Sequence, residues 1–329
     1  MTGAILSARN LGRVFRVRHK GRRQDLHAVS DLDMDLMPGK TLGVVGESGC
    51  GKTTLNRMLL LLDRPTTGQV IFNGIESSGM TAQDRLEFRR AVQPVFQNPF
   101  SSLDPRMRVG KIIAEPLSAT PGMTRDAVDR RVGEVLGAVG LSPADARRFP
   151  NEFSGGQRQR IAIARAIAPK PRVLMLDEPV SSQDISIRAQ ILNILKDLQD
   201  EYGLGCIFIS HDLATVRFMA DDVIVMYLGR VIERGTARAI CTAPEHPYTK
   251  ALLAAALPPD PDAPPAELPP QGEIPSPLDP PQGCPYHTRC PLRFGRCDRE
   301  RPAMHAAPHG GLAACHLLDP DPREPAARP

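Results

Sequence analysis

The run Gly46-Glu47-Ser48-Gly49-Cys50-Gly51-Lys52-Thr53, followed by Thr54, lies between an apolar stretch and a helix-forming one. Its spacing, G-x-x-x-x-G-K-[ST], lets backbone N–H groups converge on phosphate oxygens. It also carries the Lys52 ammonium to the terminal phosphates and offers the Thr53 hydroxyl to Mg²⁺. A chance glycine turn would lack the strand before it and the helix after it. Far downstream, Phe153-Ser154-Gly155-Gly156-Gln157 opens an apolar helical run. Its serine and two glycines leave backbone amides bare at a helix start, where the dipole favours an anion. This second grip has no obvious phosphate in its own half of the site.

Acidic residues supply the remaining chemistry. Asp177 closes the apolar run Val173-Leu176, which brings a carboxylate to a strand end as a magnesium partner, and Glu178 is placed as the general base for an attacking water. Helix-capping acids are the plain alternative, but Pro179 directly after them fits a tight turn better than a helix start. Gln97 follows the apolar Ala91-Phe96 and can join Mg²⁺ or water; His211 follows Cys206-Ser210 and can bond a terminal phosphate. A lone Gln or His of this kind is usually structural, and only their places at successive strand ends raise them.

The elements that must hold these residues are legible in the periodicity. Thr41-Gly46 reads as a buried strand and Thr53-Leu62 as a helix. Gln69-Phe72 with its Asn73-Gly74 turn reads as an antiparallel strand end. From 98 to 152 the character changes to helices, among them Thr124-Val139 with Val128, Val132, Val135 and Val139 on one face. Ser142-Pro143 reads as a helix start. Val173-Leu176 and Cys206-Ser210 are apolar on both faces, as central parallel strands are. Ser186-Tyr202 reads as a helix facing Ile187, Ile191, Ile194, Leu195 and Leu198 inward. Alternating strands and helices of this kind make an α/β fold.

Bulk properties narrow the class. A chain of 329 residues holds about two domains. The formal charge of +4 demands no broad nucleic-acid surface. The basic run Arg16-Arg23 reads as a solvated loop between strands. No charged start leads into a long apolar core, so no signal peptide is expected. Runs such as Met58-Leu62 and Ala251-Leu257 fall far short of the ~18–20 residues that span a bilayer. Seven cysteines without a secretory signal read as thiols or ligands in a reducing compartment. Between Leu257 and Tyr286 prolines are too dense for a helix or central strand, which predicts an extended linker. A Pro-rich tail from Asp319 reads as disordered.

Past the linker stand Cys284, Cys290, Cys297 and Cys315, spaced C-x5-C-x6-C-x17-C. Four thiolates are a full ligand set for Zn²⁺ or a [4Fe–4S] cluster. The absent C-x2-C knuckle, and Pro285 and Pro291 directly behind two cysteines, lean towards iron–sulfur. His287 and His316 keep zinc in competition, and free thiols rank third. Cys50, Cys206 and Cys241 read as small buried residues.

Taken in order, these motifs resemble an ABC transporter ATPase from about Ala4 to Gly235. The phosphate loop is Gly46-Thr53, the Q-loop Gln97, the signature Phe153-Gln157, the Walker B strand Val173-Asp177 with Glu178, the D-loop Ser181-Asp184 and the switch His211. Two departures stand out: Phe153 leads the signature in place of Leu, and Gln183 replaces the D-loop Leu. Pro244-Glu245-His246-Pro247-Tyr248-Thr249 and the Phe96-Pro105 loop resemble the oligopeptide/dipeptide (peptide/nickel) permease branch, in its F-type subunit.

The resemblance implies a P-loop ATPase with a RecA-like core, an antiparallel β-subdomain and a helical insertion at about 98–160. It sets the ATPase domain at 1–240 and a linker-plus-four-cysteine extension at 241–329. It implies Phe15 stacking on adenine, and Ser154, Gly155, Gly156 and Gln157 facing ATP held by a partner. Thr53, Gln97 and Asp177 would hold Mg²⁺; Glu178, His211 and Gln97 would serve hydrolysis. The expected partners are a related ATPase subunit in a heterodimer, two transmembrane permease subunits and an extracytoplasmic substrate-binding protein, with no nucleic acid. The chain would sit peripherally on the cytoplasmic face of the membrane. Nickel or glutathione import, or a soluble ATPase acting on DNA or ribosomes, are the alternatives; redox sensing through the cysteines is a third class.

Overall fold

The computed structural model describes residues 3–19, 21–98, 102–119, 122–181, 183–256 and 272–319. Part of the expected linker (257–271), the tail beyond Asp319, Ser182 of the D-loop and residues 99–101 of the Phe96-Pro105 loop lie outside them. The chain divides into two compact units, each discontinuous in sequence: Met1–Ser7, Asp35–Thr41 and Ile71–Ile209 form one, and Ala8–Met34, Leu42–Val70 and Ser210–Pro329 the other. Among the described residues no helix is long and apolar enough to cross a membrane.

In the first unit, strand Val173–Asp177 lies between Val92–Val95 and Gly205–Ser210, parallel to both. Val173, Leu174, Met175 and Leu176 are all fully buried, each burial stabilising by about 1.5–3 kcal/mol. That double-sided burial is why the strand reads as an unbroken apolar run. Helix Gly155–Ile167 packs on Val92–Val95 and on three helices, Val109–Ala114, Arg125–Ala138 and Ile185–Tyr202. Buried Arg131 donates to the Ile167 and Ala168 carbonyls at 2.9 Å each, satisfying the orphan C-terminal acceptors of Gly155–Ile167. The helical block expected after residue 98 is thus bonded to the helix behind Ser154.

Details differ from the periodicity. Helix Ile185–Tyr202 buries Ile191, Leu192, Leu195 and Leu198, whereas Ile187 and Ile194 are only half-buried. Ser142-Pro143 opens only a short 3₁₀ turn, Pro143–Arg147, started by a Ser142–Asp145 capping box. Helix Ala82–Ala91 takes Ala91, so the following strand is only Val92–Val95.

In the second unit, Thr41–Val45 pairs in parallel with Asp222–Tyr227, which pairs antiparallel with Arg230–Thr236. The distal segment extends this sheet: Leu312–Ala313 pairs with Glu233 and Arg234, and His305–Ala306 pairs with Leu312–Ala313. Gly311, at φ 94°, is required there, because a Cβ would lie 2.2 Å from the Arg234 carbonyl oxygen. Much of the basic run is strand: Arg16 and Arg18 lie in Leu6–His19, and Arg22 and Arg23 in Arg22–Leu36. Gly21 lies in a turn at φ 79°, and Arg16 and Arg18 are on the exposed side of a period-2 pattern.

Candidate functional site

In the second unit, the chain leaves Thr41–Val45 through Gly46 and enters helix Lys52–Leu59 through Gly51, at φ 156° and 108°. Side chains are excluded at both. A Cβ on Gly46 would lie 2.3 Å from the Met226 carbonyl oxygen, and one on Gly51 2.3 Å from that of Ala28. The helix start has no side-chain cap, which leaves its first amides for an external acceptor. Buried Lys52 turns its ammonium back over the loop, donating to the Gly46 and Glu47 carbonyls at 2.6 and 3.0 Å. Ser48, Gly49 and Thr53 are exposed, Glu47 and Thr54 half-buried, and Cys50 buried. Burial holds the Cys50 thiol above the usual thiol range, so it packs as a neutral group. Phe15 is half-buried on Leu6–His19, with the Arg13 guanidinium 4.6 Å from its ring centroid. His211 is exposed directly after Gly205–Ser210.

In the first unit, Asp177 ends its strand half-buried, paired in register with Ile209. Glu178 then turns at φ 46° while its N–H donates to the Ile209 carbonyl at 2.9 Å. A non-glycine residue held in the left-handed region costs of order 1 kcal/mol and swings the carboxylate out of the strand direction. The exposed Gln97 amide donates to the Glu178 carboxylate at 2.9 Å. Two residues far apart in sequence, singled out separately, therefore meet.

Ser154 caps helix Gly155–Ile167 in a capping box: its hydroxyl accepts from the Gln157 N–H at 3.3 Å, and Gln157 Oε1 accepts from the Ser154 N–H at 2.9 Å. The amides are thus less bare than the sequence suggests, and Gln157 is the reason. Gly156 is buried; a Cβ there would lie 2.6 Å from an Ile187 methyl, while one on Gly155 would approach the Gln183 amide at 3.6 Å. The signature and the D-loop departure thus lie side by side.

The distal segment belongs to the second unit. All four cysteines line one small cavity, closed by His246, Tyr286, Leu292 and His316. Cys284, Cys297 and Cys315 are buried, and all seven cysteines of the chain are free thiols. Burial, reinforced by the neighbouring cysteines, pushes Cys284 and Cys315 up to about 12. They stay protonated unless a cation compensates them. Among the described residues no three His, Cys, Asp or Glu side chains converge as a single-ion site.

What the sequence did not signal is how this segment meets the phosphate loop. Arg289 makes a two-pronged ion pair with the Glu47 carboxylate, at 2.7 and 3.1 Å, and the Tyr248 hydroxyl accepts from the Glu47 N–H at 2.8 Å. Tyr227, Tyr248 and Tyr286, three of the four tyrosines in the chain, pack ring to ring at 4.7–5.4 Å beneath this contact. No periodicity or spacing marks a pairing between residues 242 positions apart; only the concentration of tyrosines around this segment hints at it.

Comparison with known proteins identifies the family. Residues 29–181 match the family model described as ABC transporter, and residues 232–297 match that described as oligopeptide/dipeptide transporter, C-terminal region. The chain is 47% identical over 317 residues to the di/tripeptide transport ATP-binding protein DppF of Pseudomonas aeruginosa, covering 95% of this chain and 97% of that one. It is 45% identical over 295 residues to the dipeptide transport ATP-binding protein DppF of Escherichia coli, covering 89% and 88%. Among solved structures, a dimeric ATP-binding cassette in a post-hydrolysis state with ADP and Pi matches with a TM-score of 0.63 at 27% identity, over 71% of this chain and 99% of that one.

Proposed function

The chain belongs to the ABC transporter ATPase family, and from that premise we propose that it energises import of di- or oligopeptides from the cytoplasmic face of a membrane. ATP with Mg²⁺ is its substrate and hydrolysis its reaction. One observation carries the cargo reading. The chain is 47% identical to the di/tripeptide transport protein over an alignment that spans 95% of its length. The match of residues 232–297 to the oligopeptide/dipeptide transporter region supports the same branch. The 1–240 and 241–329 division, the related but different partner ATPase, the two permease subunits and the external binding protein belong to this proposal.

The residue roles are as follows. Phe15 stacks on adenine, and Gly46 to Thr54 hold the phosphates, with Lys52 exchanging its loop carbonyls for phosphate oxygens. Thr53, Asp177 and Gln97 would each offer an oxygen to Mg²⁺. Ser154, Gly155, Gly156 and Gln157 face ATP on the partner. Glu178 accepts a proton from water as the water oxygen attacks the γ-phosphorus and the bond to the β–γ bridging oxygen breaks. Gln97 orients that carboxylate at 2.9 Å, and His211 bonds the γ-phosphate.

For the distal cavity we infer a [4Fe–4S] cluster held by Cys284, Cys290, Cys297 and Cys315. Mononuclear zinc needs four ligand atoms about 2.0–2.3 Å from one point, whereas a cluster attaches its thiolates around a larger body. That all four cysteines line one cavity supports a shared group there. The bound group would compensate buried thiolates and staple a segment with little apolar core. Iron and acid-labile sulfide in anaerobically purified protein test this; one zinc per chain without iron refutes it.

Function is tested in proteoliposomes carrying the permease subunits and both ATPases. Labelled dipeptide should accumulate in an ATP-dependent manner, and transport of nickel or glutathione instead would overturn the cargo. Glu178→Gln should bind ATP yet lose about 10²–10⁴-fold in turnover. Steady-state hydrolysis retained at this site would remove Glu178 as the base.

A further inference from the structure

The bidentate pair between Arg289 and Glu47 has no part in the hydrolytic steps above, yet it joins the cysteine segment to the phosphate loop. Arg289 sits in the short turn His287–Arg289, between Cys284 and Cys290. Backbone bonds of Cys284, one of them to Cys297, set where this turn lies. The Cys284 N–H donates to the Cys297 carbonyl at 2.9 Å, and the Cys284 carbonyl accepts from the His287 N–H at 3.1 Å. The Arg289 N–H then donates to the Tyr286 carbonyl at 3.0 Å. Arg289 is only 6% exposed, so its guanidinium cannot swing to solvent without unpacking Tyr227 and Tyr286.

On the other side, Glu47 is a carboxylate inside a loop built to hold phosphates. Its own carbonyl is already within 3.0 Å of the Lys52 ammonium. Unpaired, its side chain would repel a triphosphate and compete for Lys52; paired in a fork, it is neutralised and fixed. We propose that Arg289 is a positioning residue for the phosphate-binding loop, through which the folded state of the four-cysteine segment sets affinity for ATP. The inference rests on ATP binding at Gly46–Thr53 and not on the cargo. Failed peptide uptake would leave it standing, and its failure would leave the import reading standing.

The test uses the full chain, Mg²⁺ and a fluorescent non-hydrolysable ATP analogue. Arg289→Met should raise the Kd about tenfold, within the ordinary range of coupling between sites. Arg289→Met combined with Glu47→Gln should regain most of that affinity, since the unpaired charge is then gone; a merely structural role predicts no rescue. Cys315→Ser should raise the Kd in the native background and have little effect in the Arg289→Met/Glu47→Gln background. Native affinity in Arg289→Met, absence of rescue, or an equal Cys315→Ser effect in both backgrounds would each overturn the proposal. If Arg289→Met does not fold, Arg289→Lys, which keeps the charge but loses the fork, takes its place with the same rescue.

Discussion

Two helices of this chain, Lys52–Leu59 behind Gly51 and Gly155–Ile167 behind Ser154, open in opposite ways. Lys52–Leu59 begins at Gly51 with no side-chain cap, its amides left open and its lysine folded over the loop carbonyls. Gly155–Ile167 begins at Ser154 with a reciprocal capping box to Gln157. The first start is completed by whatever anion arrives. The second is already shaped, and only the turn between its capping partners is offered outward. Under the proposed roles, a loop that binds its own nucleotide would have to yield to the phosphates, and a signature that meets a partner's nucleotide would have to hold its form in their absence.

The largest effect should come from the open start. Lys52→Ala removes the ammonium that phosphates would take over, and should weaken ATP binding about 10- to 100-fold with little loss of fold, as titration calorimetry and circular dichroism would record. Unchanged affinity would break the contrast, because the loop would then bind through its amides alone.

A smaller effect concerns the extension bracing that open start. His246 is fully buried, and burial lowers it to about 3 from its ordinary 6.5. Between those values the unfolded chain binds a proton that the native chain refuses. Stability is therefore lost as pH falls below about 6.5, at up to about 1.4 kcal/mol per pH unit. Urea unfolding at pH 5 and 7.5 should show the loss, and His246→Gln should reduce it. An unchanged pH dependence would remove His246 as its source.

The smallest effect belongs to the capped start. Ser154→Ala should cost about 1 kcal/mol in chemical denaturation. It should leave ATP affinity of the isolated chain untouched while lowering turnover of the assembled pair. Loss of affinity in the isolated chain would erase the distinction between the two starts.

Legibility followed the range of the interactions. The phosphate loop is local: Gly46, Gly51 and Lys52 act on backbone within a few residues, so spacing alone reveals them. Val173–Leu176 was legible because a strand buried on both faces must be apolar throughout. The Arg16-Arg23 run misled, because alternation along two hairpin strands can look like a charge cluster in a loop. Gln157 was legible as part of the signature but not as the cap of its own Ser154. The meeting of Gln97 with Glu178 was only suggested by their places at strand ends.

By itself, then, the sequence determined the α/β class, the phosphate loop, the acidic strand end and the family, because each rests on near-neighbour geometry or an ordered string of motifs. Only the tertiary structure decided that four distant cysteines line one cavity and that Arg289 grips Glu47. Those contacts join residues whose separation leaves no period or spacing to read. They exist because three buried tyrosines and a strand added beside Glu233 fold the distal segment back beside the loop.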